Sequence, residues 1–135
     1  MIKYINSLEN ISENQLKGFF VDWPNPPSAK KHLELLNNSD YFWLAIDETT
    51  NNVVGFITAI SDKTLSAYIP LLEVLPEYKG NGIGSKLVEL ILETLKDLYM
   101  VDLLCDTDVV GFYEKFSMIK SQGMIIRNYN SQSGL

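Results

Sequence analysis

The sequence is poor in the residues that build metal sites and covalent cross-links. Its 135 residues include one cysteine, Cys105, and one histidine, His32. A single cysteine excludes an intrachain disulfide framework. One cysteine with one histidine also leaves a structural zinc site short of ligands. No Asp-x-Asp-x-Asp-Gly loop is present, so no metal is expected. Basic residues are outnumbered: 11 Lys and Arg stand against 17 Asp and Glu, for a formal charge of -6. The isoelectric point is about 4.7. Such a surface repels phosphate backbones at long range, which excludes nucleic acid as the expected partner. Long apolar runs are missing too. The longest, 53–60, is far shorter than a membrane span and carries Thr58. The first residues lack the apolar region of a signal peptide. No membrane partner and a cytoplasmic location with reduced Cys105 are therefore expected.

What is present is 46% hydrophobic and 21% charged, the balance of an ordinary globular domain. A chain of this length can bury one real core, so residues 1–135 are read as a single domain. Residues 2–5 form a short strand candidate. Ser12, with Gln15 three residues on, reads as a capping box for a helix to about Phe20. Three prolines among residues 24–27 make a stiff loop that also carries Asp22 and Trp23. Ser28 caps a second helix to about Leu36. Strands follow at 41–46, 53–60 and 65–75, joined by short turns that favour antiparallel pairing. Pro70 inside the third fits a bulge or a place where pairing opens. A helical period runs from Gly82 to Leu98, with Ile83, Leu87, Leu90 and Ile91 on one face. A buried strand at 100–105, a short helix at 109–116 and a last strand at 123–127 complete the order βααβββαβαβ. The step from residue 65 to 105 implies a right-handed parallel crossover, hence a mixed sheet with helices on both faces.

Chemistry concentrates in one stretch, where a strand ends at Pro76 and a glycine loop leads into a helix. Free N–H groups at a helix start, with the positive end of its dipole, suit a phosphate or pyrophosphate. Ser85-Lys86 stands in the wrong order for a P-loop, and Gly80, Gly82 and Gly84 alternate rather than spelling Gly-x-Gly-x-x-Gly. A plain glycine turn is the competing reading.

Lys79-Gly80-Asn81-Gly82-Ile83-Gly84 resembles motif A of the GCN5-related N-acetyltransferases (GNAT), Gln/Arg-x-x-Gly-x-Gly/Ala, with lysine in the first place. The lead-in Val74-x-Pro76 also matches. The run from Asp106 to Phe116, with Phe112-Tyr113-Glu114-Lys115, resembles the family's motif B. Asp106 replaces the usual asparagine, Ser117 the glycine after the helix, and Met118 a phenylalanine. The resemblance implies an α+β, GNAT-like mixed sheet of about six to seven strands. It implies acetyl-CoA as acetyl donor, held where strands 65–75 and 100–105 splay apart. A bulge is expected within residues 70–73, freeing the backbone of Leu72 and Val74 for the pantetheine arm. The pyrophosphate is expected over Lys79, Gly80, Asn81, Gly82, Ile83, Gly84 and Ser85. Asp106 is counted with these residues, although it lacks an amide donor.

The implied reaction is direct attack of an amine on the thioester. Tyr113 matches the family's usual acid, and core packing is its alternative reading. Glu73, which interrupts an apolar strand at the expected opening, is the candidate base; a solvated strand residue and a water path are the alternatives. His32 reads as a surface or capping residue rather than a base, and Cys105 as a packing residue of its strand. Trp23 and Asp22 are expected to line the pocket of the acceptor, a small-molecule or peptide amine. A homodimer is one candidate for the assembly. Two other functions compete: a non-catalytic CoA or acyl-CoA sensor, and a phosphate-binding module unrelated to CoA.

Overall fold

The computed structural model describes residues 1–135. Its elements are β1 (Ile2–Ile5), α1 (Ala29–Asn38), β2 (Tyr41–Asp47), β3 (Asn52–Ser61), β4 (Ser66–Ile69), β5 (Leu72–Val74), α2 (Ile83–Thr94), β6 (Met100–Leu103) and α3 (Val110–Glu114). The six strands form one mixed sheet in the order β1-β2-β3-β4-β6, and β5 continues beside β3. All pairings are antiparallel except β4 with β6, the parallel step that the crossover through α2 requires. None of the helices is long and apolar enough to cross a membrane.

The two longer helices cover opposite faces. Successive residues of a strand point to opposite sides. At Gly55 an added Cβ would meet Ile83 and Leu87 of α2 at 3.2 Å. The next residue, Phe56, sends its ring the other way, to Phe19 and His32. In α2, Ile83, Leu87, Val88 and Ile91 are buried at three- and four-residue spacing. Each such side chain contributes roughly 1.5–3 kcal/mol through burial. Ser28 caps α1 by accepting the Lys31 N–H at 3.1 Å.

Three expected elements are corrected. The helix expected over 12–20 is only a 3-10 turn at Glu13–Gln15. The Gln15 side chain does accept the Ser12 N–H, at 2.9 Å. Gly18, Phe20 and Asp22 all have left-handed φ, however, which breaks any helix and turns both Phe19 and Phe20 into the core. The strand expected over 65–75 divides at Pro70 into β4 and β5. The strand expected at 123–127 is absent: the segment is exposed and joins no ladder.

The division at Pro70 is a one-residue bulge. Register pairs Ile60 with Tyr68 and Ser61 with Ala67 on one side, and Ile57 with Leu72 on the other. One extra residue must therefore sit opposite Ala59, where Ile69 and Pro70 fall. Proline has no N–H to give the ladder, so it occupies the place where a strand tolerates a break.

Candidate active site

The bulge sets the edge that faces the site. Leu71 gives its carbonyl to the Thr58 N–H at 3.1 Å, and the Leu75 N–H reaches Val54 at 2.9 Å. With a strand period of two, Leu72 and Val74 aim their N–H and C=O groups away from β3. On that side β6 pairs with β4 and stops at Leu103, so nothing closes the ladder beyond Ile69. The expected opening between the two parallel strands is present, and Leu72 and Val74 are the residues with free backbone groups.

The glycine loop follows directly. A 3-10 turn at Pro76–Tyr78 leads to it. The Tyr78 hydroxyl donates to Asp47 at 2.6 Å, pinning this turn to the end of β2. That bond holds the Asp47 carboxyl below its usual range and raises the Tyr78 phenol. The Asn81 side-chain amide donates back to the Tyr78 carbonyl at 3.0 Å. Gly80 and Gly82 have φ of 83° and 79°, and an added Cβ at either meets nothing within 4 Å. The first helical bond runs from the Lys86 N–H to Gly82, and none of the N–H groups of residues 80–85 has a protein acceptor. Six free donors at the start of a twelve-residue helix, on a backbone open to its surroundings, fit a pyrophosphate well. Gly84 packs closer: its Cβ would lie 3.8 Å from both Phe112 and Val74. That contact ties motif A, β5 and α3 together. Lys79 is exposed beside the loop, and Ser85 is half-buried on the first turn of α2. Asp106 is exposed; its backbone carbonyl, not its carboxylate, starts the turn leading to α3.

Tyr113 is half-buried, its ring edge-on to Phe112 at 5.0 Å between centroids. It lines a groove of about 940 Å³ together with Cys105, Leu103 and Tyr68. Its hydroxyl has no protein partner among the hydrogen bonds of the structure. Burial, and secondarily the Cys105 thiol, push its pKa up. Cys105 itself is exposed, which corrects the expectation that it packs inside a strand. The strand ends two residues earlier, so its side chain enters the groove instead of the core.

Glu73 lies between Leu72 and Val74 and therefore projects to the opposite face, the α1 side. Its carboxylate accepts the Phe20 N–H at 2.8 Å and the Val21 N–H at 3.3 Å. It is thus the clamp for a left-handed turn 53 residues away, a role that no local sequence signal announces. The clamp positions Asp22 and Trp23. Trp23 leans on Phe20 at 5.0 Å and is 39% exposed, and Asp22 is exposed. The structure thus gathers Glu73, Asp22 and Trp23 around one loop. It gathers Leu72, Val74, the glycine loop and α3 around the other face of the same short strand.

His32 is neither surface nor cap. It is fully buried between Phe19, Phe20 and Phe56, with both ring nitrogens unpartnered. Burial lowers its pKa to about 4. A neutral, walled-in imidazole is a core residue, not a base.

A model of the acetyltransferase (GNAT) family matches residues 8–118. A crystal structure assigned as an acetyltransferase from Deinococcus radiodurans R1 is 42% identical and superposes with a TM-score of 0.96, covering 99% of this chain and 93% of that one. A GNAT-family acetyltransferase from Streptococcus pneumoniae TIGR4 is 29% identical with a TM-score of 0.74, covering 95% and 98%. The uncharacterized N-acetyltransferase ycf52 of Pyropia yezoensis is 30% identical over 122 residues, 87% of this chain and 70% of that protein.

Proposed function

Because the chain belongs to the GNAT acetyltransferase family, we propose that it transfers the acetyl group of acetyl-CoA to a primary amine of a small molecule or peptide by direct attack. The observation that supports this best is the adjacency of an unzipped strand edge and a helix start with six unsatisfied N–H groups. Few ligands carry both a pyrophosphate and an amide-bearing arm to match such a pair. Residues 79–85 would hold the pyrophosphate. Leu72 and Val74 offer donors and acceptors to an extended amide chain, as sheet edges do for peptides. An N–H on that edge also stabilises negative charge developing on a carbonyl oxygen.

Acetyl-CoA, when bound, supplies an acetyl group activated as a thioester. The proton traffic belongs to the chain. Tyr113 holds a proton in a half-buried phenol whose raised pKa keeps it protonated at neutral pH, the state a proton donor needs. Glu73 holds the loop against which the acceptor sits and takes up the proton the amine must lose. Trp23 gives that loop an apolar wall, and the carboxylates of Asp22 and Glu73 favour a cationic acceptor. The 135 residues act as one catalytic domain that needs no metal, and a reducing compartment such as the cytoplasm suits exposed Cys105.

Release of free CoA across a panel of amines tests the reading. Amine-dependent release is expected. Tight acetyl-CoA binding with no turnover on any amine would assign the chain as a sensor instead. A preference for ATP over CoA would make the loop a phosphate site unrelated to acetyl transfer.

A further inference from the structure

Asn81-Gly82 is the one place in the chain where glycine follows asparagine. The dipeptide is chemically labile. The backbone nitrogen of the second residue can attack the side-chain amide of the first, and glycine has no Cβ to shield that nitrogen. A fold suppresses the reaction by burying the pair or by engaging the N–H in a hydrogen bond. The N–H groups that follow Asn10, Asn14 and Asn38 are engaged in this way, by the carbonyls of Leu8, Ser12 and Leu36. Asn81 has neither protection. It and Gly82 are both exposed. The Gly82 N–H has no protein acceptor, and a Cβ built on Gly82 meets nothing within 4 Å.

The surroundings favour the charged stages of this chemistry. Loss of the Gly82 proton leaves an anionic nitrogen, and its attack moves negative charge onto Asn81 Oδ1. Both charges form at the N-terminus of the twelve-residue α2, among the N–H groups of residues 80–85 that have no other partner. The amide is also held in place. Its Nδ2 donates to the carbonyls of Tyr78 at 3.0 Å and Lys79 at 3.4 Å, while Oδ1 receives no protein donor.

We propose that Asn81 is a self-modification site: in the unliganded chain its side-chain amide is lost, and the carboxylate that replaces it takes the free donors of the loop and closes them to an anionic ligand. The Gly82 nitrogen gives up its proton and bonds to Asn81 Cγ. The Cγ–Nδ2 bond breaks, and the nitrogen leaves with a proton as ammonia. Water then opens the cyclic imide. Cleavage of the new bond leaves an aspartate side chain at position 81. Cleavage of the original peptide bond leaves an isoaspartate, which lengthens the backbone by a methylene. Water is the only reactant consumed and ammonia the only product released.

The product cannot stay where the amide was. A carboxylate has no proton for the Tyr78 and Lys79 carbonyls and is repelled by them. The unpaired N–H groups of its own loop are the donors that suit it. A negative charge is then lodged where a pyrophosphate is expected, and the formal charge of the chain goes from -6 to -7 with the added carboxylate. A bound pyrophosphate occupies the same donors and protects Asn81, so the chain ages only while empty. The modification itself does not depend on acetyl transfer; only the identity of the protecting ligand rests on that reading.

The test incubates the full chain at neutral pH beside a synthetic peptide of residues 76–88. Trypsin cuts after Lys79 and Lys86, which isolates residues 80–86 for mass spectrometry. Enzymatic methylation of isoaspartate counts the second product. The amide at 81 should be lost faster from the folded chain than from the peptide, and excess acetyl-CoA should slow the loss severalfold. In Asn81→Asp, the new carboxyl should titrate by NMR below the ordinary aspartate range, because the loop N–H groups hold its charged form. A folded chain that keeps its amide while the peptide loses it overturns the proposal. So does a new carboxyl that titrates in the ordinary range, or an unchanged rate of loss under acetyl-CoA that does raise the melting temperature. If acetyl-CoA leaves the melting temperature unmoved while the amide is lost and the carboxyl titrates low, the proposed function fails and the modification stands.

Discussion

Tyr113 is half-buried and its hydroxyl is free, so Tyr113→Phe removes one oxygen and leaves the contact with Phe112. The fold and acetyl-CoA affinity should survive. Turnover should fall by roughly 10²–10⁴, the span of one general acid. Because the phenol is raised above its usual value near 10, the parent should show no loss of rate from this group below that pH. A variant keeping more than about a third of turnover, with chemistry rate-limiting, would reduce Tyr113 to packing. His32 makes a different demand. Its folded pKa of about 4 lies below the usual 6.5, so the unfolded chain binds the extra proton first. Stability is untouched above pH 6.5 and falls as the pH drops from there toward 4, by on the order of 3 kcal/mol from this group. Denaturant titrations at pH 7.5 and 5 should show a smaller loss in His32→Leu than in the parent; equal losses would mean His32 is hydrated. Ser117 follows α3 with φ 65°. Glycine adopts that angle without strain, so Ser117→Gly should add up to about 1 kcal/mol, read by chemical denaturation. A less stable glycine variant would contradict the role of the angle.

At the level of elements, periodicity and punctuation were readable wherever an element answers to its own residues. Helix α2 follows the spacing of Ile83, Leu87 and Ile91, and α1 begins where Ser28 caps it. The glycine loop was readable for the same reason, since Gly80 and Gly82 must carry left-handed angles. What could not be read depends on partners far along the chain. The stop at Phe20 depends on Glu73, and the burial of His32 on Phe56 in a different strand. Residues 123–127 have strand character, but a strand exists only where an edge receives it. The loop yields its own prediction. Gly82→Val places a branched side chain at φ 79°, into the space that residues 80–85 leave open. It should weaken the apo protein and abolish the rise in melting temperature expected of the parent with acetyl-CoA. A variant with the full ligand shift would relocate the phosphate site.

For the whole molecule, binding to the folded state alone should stabilise by roughly 2.7 kcal/mol at 100 times the dissociation constant. Acetyl-CoA should therefore raise the melting temperature, while ATP at equal concentration should not; an unmoved curve with excess acetyl-CoA would remove the donor from the account. The bulge opposite Ala59 carries this comparison further. Pairing with β3 is in register on both sides of it, so the misfit amounts to a single supernumerary residue. Deleting Pro70 would leave every other β3 contact where it is and make β4 and β5 one unbroken strand. The seam toward β6 could then zip shut past Leu103. Such a deletant should melt no lower than the parent and lose its acetyl-CoA response, showing that the protein keeps a fault line because the ligand lives in it.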